Sequence, residues 1–564
     1  MSIRSLLEAN LRRNPSRCAF TFRRGKKIAC RTYAEVGERV RRISEVAVSV
    51  GLEPRSAPAA IILENCPQWI ELYLGHCSIA VPVVPVDPKL RPEEISYMMN
   101  DAGVAVIYTD SRHVPVLQEI ASSLPALRHI VLVDGVDSHA ASEVSSIPVH
   151  DLETEMARLA ASAESPSSAY SRFSVSDDDI ASIIYTSGTT GRPKGALITH
   201  GNFCADIAGA HELIPSHCSA DDFFIILPLF HAFSFTANFM AAIYVGAGMQ
   251  FATSLRTIGE DMKAFKPTIV MAVPLLVEKM HDKIASEIRK SRLARVLLTL
   301  WLEGVVNRSI IRSLGGRLRL MIVGGAPCSA DLIVAMRRIG IPIIEGYGLT
   351  ETSPIVSISR MERFKPGTIG FPLPNIEVRI ADRNEHGVGE LQVRGPIVMK
   401  GYLNKPEATA ETIDADGWLH TGDLASQDED GFITIHGRKK ALIVNREGKN
   451  IYPEEVETCI GGSPKILDVV VVGYSDTQGE VGEKVGAIVV PNLEAFGYKV
   501  KKQKRISETE WRAIEEETRK IVIAQCHHLA EYKHPRKIAV YREPLERTSS
   551  QKIRRYVYQN DLNG

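Results

Sequence analysis

Ten residues, Thr186-Ser187-Gly188-Thr189-Thr190-Gly191-Arg192-Pro193-Lys194-Gly195, constrain this chain more than any others. They follow the apolar run Ile180-Ala181-Ser182-Ile183-Ile184-Tyr185, which reads as a buried strand. Hydroxyls, glycines and a lysine in one short loop suit a triphosphate. Glycines let the backbone come close and turn its N–H groups onto oxygens, hydroxyls donate further bonds, and Lys194 adds a positive charge. Thr186, Ser187, Gly188, Thr189, Thr190, Gly191 and Lys194 are therefore candidate nucleotide-binding residues. Arg192-Pro193 before Lys194 breaks the spacing GxxxxGK[ST], so a P-loop with a helix-borne lysine is disfavoured. The alternative for such a loop is a solvated turn between strands.

The loop resembles the signature of the adenylate-forming (AMP-binding) superfamily of acyl-CoA synthetases, aryl-CoA ligases, peptide-synthetase adenylation domains and luciferases. Further motifs follow in the order this resemblance requires, over nearly the whole chain. Tyr347-Gly348-Leu349-Thr350-Glu351-Thr352 comes after an apolar strand at 341–345. A carboxylate at a strand end near phosphates can hold Mg²⁺. The resemblance implies that Glu351 is the magnesium ligand, that Thr350 contacts the α-phosphate, and that Tyr347 stacks on adenine between Gly346 and Gly348. Read alone, Glu351 is a surface or capping carboxylate. Gly324-Gly325-Ala326-Pro327 resembles the stretch lining the adenine and acyl pockets, which adds Gly325, Ala326 and Pro327 to the nucleotide set.

Gly417-Trp418-Leu419-His420-Thr421-Gly422-Asp423 is a third match. A carboxylate accepting two hydrogen bonds holds paired ribose hydroxyls well. By resemblance Asp423 does this, with Arg438 assisting and Ile435 beside the nucleotide. Pro228-Leu229-Phe230-His231, with Phe233 and Phe235 after it, suits the mouth of an acyl pocket, and His231 resembles the histidine that gates it. A satisfied core histidine is the rival reading. At the C-terminus, Arg547-Thr548-Ser549-Ser550-Gln551-Lys552-Ile553 keeps a lysine in the catalytic register, although Gln551 stands where relatives have Gly. An ammonium at Lys552 suits the charge growing as carboxylate and α-phosphate join. Lys440 falls at the hinge position, followed by Ala441 where most relatives carry an acidic or amide residue. Gly448-Lys449-Asn450-Ile451-Tyr452-Pro453-Glu454-Glu455 looks most like the fatty acid–CoA ligase branch. Gly389 to Pro396 and Gly401-Tyr402-Leu403-Asn404 also match and read as scaffold.

With 564 residues the chain is too long for one core, so two or more domains are expected. Zero net charge leaves no nucleic-acid footprint at the whole-chain level. The nine cysteines are scattered and suggest neither a zinc site nor a disulfide framework, so reduced thiols and a cytoplasmic location are expected. The N-terminus has no apolar core of signal-peptide length; Ile3, Leu6, Leu7 and Leu11 read as a packing helix. The longest apolar runs, 79–86 and 269–277, are too short to span a bilayer.

Apolar runs at 59–63, 81–86 and 104–108 alternate with helical patterns, the rhythm of a parallel α/β sheet. Residues 141–174, rich in Ser and Ala, read as a surface linker. Short strands and turns at 366–436 read as a β-rich subdomain. The basic stretch 499–505 reads as a solvated loop before a helix capped at Ser507 with Glu510. The expected fold is α/β: a large multi-sheet domain at 1–437 and a small mobile α+β lid at 438–564, hinged near Lys440.

The resemblance implies ATP-dependent activation of a carboxylic acid, of the medium- or long-chain fatty class, to acyl-AMP with release of pyrophosphate. Transfer to coenzyme A follows. ATP, Mg²⁺ and coenzyme A are the implied cofactors, the acid is the partner, and peripheral membrane association is compatible with it. The alternatives are ligation to an acyl carrier protein acting in trans, a non-catalytic nucleotide- or acyl-binding regulator suggested by Ala441 and Gln551, and a luciferase-like oxygenase.

Overall fold

A computed structural model describes residues 1–135, 143–144, 146–161, 169–186, 192–214, 218–291, 303–475, 482–498, 506–547 and 553–563. The chain divides into two compact units. The first comprises 1–378 and 393–419, the second 379–392 and 420–564.

Two nine-stranded sheets form the first unit among the described residues. One runs in the order Phe371–Pro372, Ile355–Ile358, Ile343–Gly348, Leu320–Val323, Ile269–Ala272, Asp222–Ile225, Gly248–Phe251, Cys18–Arg24, Lys27–Thr32. Its pairings from Ile343–Gly348 to Cys18–Arg24 are parallel, and antiparallel pairs close both edges. The other runs Gly401–Tyr402, Lys194–Thr199, Ile180–Thr186, Val83–Val86, Ala59–Ile62, Val106–Thr109, His129–Leu132, Ile147–Asp151, Glu143–Val144. Central strands such as Ala59–Ile62 and Val83–Val86 are buried along their whole length. That is why they read as unbroken apolar runs rather than alternating ones.

Helices begin where local pairs cap them. Thr32 and Glu35, Thr199 and Asn202, and Ser507 and Glu510 each form the reciprocal side-chain box. The N-terminal helix Ile3–Arg13 buries Ile3, Leu6 and Leu7, the packing role expected of it. Around Phe235, the rings of Trp69, Tyr73, Phe203 and Phe239 form an aromatic cluster within the core. Among the described residues no helix is long and apolar enough to cross a membrane.

Two expectations are corrected. The stretch 141–174 is not a plain linker: Ile147–Asp151 adds a parallel strand to the second sheet, and the helix Leu152–Ala161 buries Leu152 and Met156. A few well-spaced apolar residues suffice for this, and the Ser/Ala composition conceals them. The cysteines are not all reduced: Cys18 and Cys30 form a disulfide across the edge hairpin, their Cα atoms 5.9 Å apart. Their separation of 12 residues becomes a contact only once the hairpin register is known. The basic stretch 499–505 lies outside the described residues.

The second unit carries most of a four-stranded sheet, ordered Glu377–Ala381, Gly389–Arg394, Leu419–Gln427, Ile433–Arg438. It also holds a three-stranded sheet of Ile466–Tyr474, Lys484–Pro491 and Lys537–Val540. The helices Pro453–Gly461 and Glu508–Gln525 contribute Val456, Ile460 and Val522 to the core beneath it.

One buried charge organises the helices of the first unit. Glu71, fully buried on Pro67–Cys77, meets Arg31 and, at 2.8 Å, Arg39 of the helix Tyr33–Ser49. Removing one partner of a buried pair strands the others' charges. Glu71→Ala should cost about 3–5 kcal/mol, read as a lower urea midpoint. An unchanged midpoint would mean that the pair adds nothing to stability.

Candidate active site

The loop that opens the site is the turn of a hairpin. Ile180–Thr186 and Lys194–Thr199 pair antiparallel, with Lys194 opposite Thr186. Lys194 is thus borne on a strand, in keeping with the exclusion of a P-loop. Thr186 Oγ1 donates to the Lys194 carbonyl at 3.4 Å. The Tyr97 hydroxyl donates to the Pro193 carbonyl at 3.1 Å, and the same ring lies under Arg192. Ser187, Gly188, Thr189, Thr190 and Gly191 lie outside the described residues.

The motif Tyr347–Thr352 ends one strand and returns at once as another. Gly346, Tyr347 and Gly348 pair with Ile358, Ser357 and Ile355. The return is so tight that a Cβ on Gly348 would stand 1.7 Å from the Pro354 carbonyl oxygen, so only glycine fits. Thr350–Thr352 form a single 3₁₀ turn, closed by Ser353 at φ 72°. Three separate elements brace that turn. Thr236, fully buried on the π-helix Phe235–Met240, donates to the Ser353 carbonyl at 2.8 Å. The Ile355 N–H meets both oxygens of Asp206, at 3.2 and 3.3 Å, and burial pushes that carboxyl well above its usual range. From the strand Gly401–Tyr402, the phenol of Tyr402 donates to Glu351 Oε1 at 2.7 Å.

Gly324-Gly325-Ala326-Pro327 follows the strand Leu320–Val323 as expected. A Cβ on Gly324 would meet the Gly346 carbonyl at 2.9 Å and the ring of Phe233 at 3.2 Å. The structure thus brings this turn, the start of the Tyr347 motif and the aromatic segment after His231 to one place. His231 lies between Phe230 and Ala232 on a turn held from a distance: Asn65 donates to the Leu227 carbonyl and accepts from the Leu229 N–H, both at 2.8 Å. Beside Gly346, Glu345 is buried and accepts from the Cys328 backbone N–H; burial pushes its carboxyl up to about 7.

In the second unit, Asp423 and Arg438 are direct cross-strand neighbours. Arg438 Nε lies 2.8 Å from Asp423 Oδ1, and a second guanidinium nitrogen donates to the Thr421 carbonyl at 3.1 Å. Ile435 lies on the same strand, opposite Ala425. Glu390 supports the segment: burial raises its carboxyl, but bonds from Lys439 at 3.0 Å and His420 at 3.3 Å prevail and hold it below its usual value. Lys440 stands exposed in the 3₁₀ turn Lys439–Ala441. Lys552 lies outside the described residues. Its flanks are anchored within this unit: Ile553 bridges Arg547, Arg547 pairs with buried Asp468, and Arg555 binds both oxygens of Glu457 at 2.9 Å.

A family model described as AMP-binding enzyme matches residues 7–403. The chain belongs to the AMP-binding enzyme family. Long-chain-fatty-acid–CoA ligase FadD15 of Mycobacterium bovis is 32% identical over 503 residues, covering 84% of this chain and 79% of that protein. Human long-chain-fatty-acid–CoA ligase 1 is 29% identical over 506 residues, covering 82% and 70%. The fold is that of ATP-bound MatB from Rhodopseudomonas palustris, with a TM-score of 0.77 at 24% identity over 100% of this chain and 99% of that one.

Among the described residues no group of three or more His, Cys, Asp or Glu side chains could hold a metal. Mg²⁺ is commonly bound through one or two carboxylates plus substrate phosphates. The hard oxygens of Glu351 therefore fit a cation that arrives with a triphosphate. Thr236, Asn65 and Glu345 support the candidate site and were not among the residues singled out in the sequence, and Tyr402 was read there as scaffold. Glu345 left a local signal as a carboxylate at the end of the apolar run Ile341-Pro342-Ile343-Ile344, and Tyr402 left one as part of the matching string Gly401 to Asn404.

Glu345 also fixes a pH dependence. Its folded value, about 7, lies above the ordinary 4.5, so its stability contribution is full below about pH 4.5 and is lost as pH rises through 7. Between pH 5 and pH 8 the wild type should lose up to ~3 kcal/mol more stability than Glu345→Gln. Denaturant midpoints at the two pH values measure this, and parallel slopes would count against a buried, raised carboxyl.

Proposed function

We propose that this protein is an AMP-forming acyl-CoA synthetase for medium- or long-chain fatty acids. The observation that carries the reading is the Glu351 turn and the Lys194 hairpin meeting on one tyrosine within a single unit. The relatives named as long-chain-fatty-acid–CoA ligases support the acyl class. In the first half-reaction the fatty carboxylate attacks the α-phosphorus of ATP, giving acyl-AMP and pyrophosphate. In the second, the thiol of coenzyme A attacks the acyl carbon and AMP leaves.

Each candidate residue has a task in this scheme. Thr186 to Gly191 and Lys194 surround the phosphates with donors and a positive charge. Thr350 contacts the α-phosphate. Mg²⁺, held by Glu351 when bound, neutralises phosphate charge. Tyr347, between Gly346 and Gly348, covers the adenine with Gly325, Ala326 and Pro327. Asp423, oriented by Arg438, accepts from the ribose hydroxyls, with Ile435 beside the nucleotide. His231 stands at the acyl entrance. Lys552, on a lid comprising 438–564, serves the first half only. Lys440 is the pivot that exchanges the lysine for the thiol, because both need the same side of the acyl group at different times. A cytoplasmic location fits a substrate set of ATP and coenzyme A.

The test is pyrophosphate release from MgATP across fatty and aryl acids, with and without coenzyme A. Turnover that depends on a fatty acid and accelerates with coenzyme A is the expected result. A single burst indifferent to coenzyme A would indicate a carrier-protein acceptor, and no release with any acid would end the enzymatic reading. Lys552→Ala should slow acyl-AMP formation about 10²–10³-fold, the scale of one lost charge-stabilising donor. It should spare thioester formation from supplied acyl-AMP, and equal loss in both halves would overturn its assignment.

A further inference from the structure

Tyr402 lies where two opposite charges of the candidate site meet. Its hydroxyl donates to Glu351 Oε1 at 2.7 Å, and the Lys194 ammonium sits 5.0 Å from the centre of its ring. The backbone fixes the ring from both sides. Ala196 pairs with Tyr402 in the sheet, and the Lys400 and Leu403 N–H groups donate to the Leu197 and Gly195 carbonyls at 2.9 and 2.8 Å. The Met399 N–H donates to the Glu351 carbonyl at 2.9 Å, and Tyr402 N–H donates to Thr409 Oγ1 at 2.9 Å. Strand 401–402 thus ties the hairpin that carries Lys194 to the turn that carries Glu351.

A carboxylate and an ammonium brought close in a partly buried site attract by several kcal/mol, about 4 at 4 Å and an effective dielectric of 20. A direct pair would occupy both groups before any phosphate or cation arrived. A phenol avoids this. Its O–H donates to one carboxylate oxygen and leaves the negative charge in place, and its ring face attracts the ammonium without offering an anion.

We propose that Tyr402 is a positioning residue, which orients the Glu351 carboxylate for a divalent cation and holds Lys194 apart from it. This rests on the reading of Glu351 as the metal carboxylate. Outer partners of metal ligands commonly contribute ten- to hundredfold to metal affinity.

The experiment measures Mn²⁺ affinity by electron paramagnetic resonance, on the full chain saturated with a non-hydrolysable ATP analogue. Binding of the analogue without metal is followed in parallel. Tyr402→Phe keeps the ring and removes the hydroxyl. It should weaken Mn²⁺ about ten- to hundredfold, leave metal-free nucleotide binding unchanged, and recover pyrophosphate release at high Mg²⁺. Tyr402→Leu, lacking the ring as well, should also weaken the metal-free analogue. Wild-type Mn²⁺ affinity in Tyr402→Phe, with a loss in Glu351→Gln, would overturn the proposal alone. Wild-type affinity in Glu351→Gln would overturn the metal reading beneath it. Equal weakening of metal-bound and metal-free nucleotide in Tyr402→Phe would reduce Tyr402 to a structural part and also overturn the proposal.

Discussion

The turn from Leu349 to Pro354 is held by groups that come from three distant stretches of chain, and the chemistry of the first unit depends on that. Thr236 reaches it from the aromatic segment, Asp206 from the helix His200–Leu213, and Tyr402 from a two-residue strand. Within the turn the Leu349 N–H donates to the Pro354 carbonyl, the Thr352 N–H to the Leu349 carbonyl and the Ser353 N–H to the Thr350 carbonyl, and the outside groups hold that shape in place. Gly348 lets the chain double back where any side chain would strike the Pro354 carbonyl. Thr350 and Glu351 are therefore presented by the turn's own bonds and by tertiary contacts together.

Buried carboxyls are handled in two ways. At Asp206 and Glu345 the bonds come from backbone N–H groups, and burial keeps these carboxyls protonated more readily than in water. At Glu71, Asp423 and Glu390 they come from basic neighbours: Arg31 and Arg39, Arg438, and Lys439. Glu457 combines both, since Arg555 lies against it and burial still pushes its carboxyl up to about 7.

Much of this was legible in the sequence where the signal is local. Unbroken apolar runs marked the central strands, and the Ser507/Glu510 pair marked a helix start, because both depend on neighbours within a few residues. The Tyr347–Thr352 and Asp423 motifs were legible as strings. The rest was hidden because it is made by register. Tyr402 meets Glu351 across 51 positions, and Cys18 meets Cys30 only through a hairpin. Tyr402 was read as scaffold because nothing beside it in the chain carries charge chemistry. The helix at 152–161 escaped notice because Leu152 and Met156 are its only deeply buried residues.

Asn65 fastens both sides of Pro228 with one amide, standing in for the neighbouring strand that this loop lacks. The segment that follows shares this duty, for the Ser234 hydroxyl donates to the same Leu227 carbonyl at 2.8 Å. Phe235 and Phe239 are committed to the buried aromatic cluster. The Thr236 hydroxyl belongs to the turn that carries Glu351. A substitution in 232–240 is thus felt at the Leu227–Leu229 loop, in the core and at the Glu351 turn together.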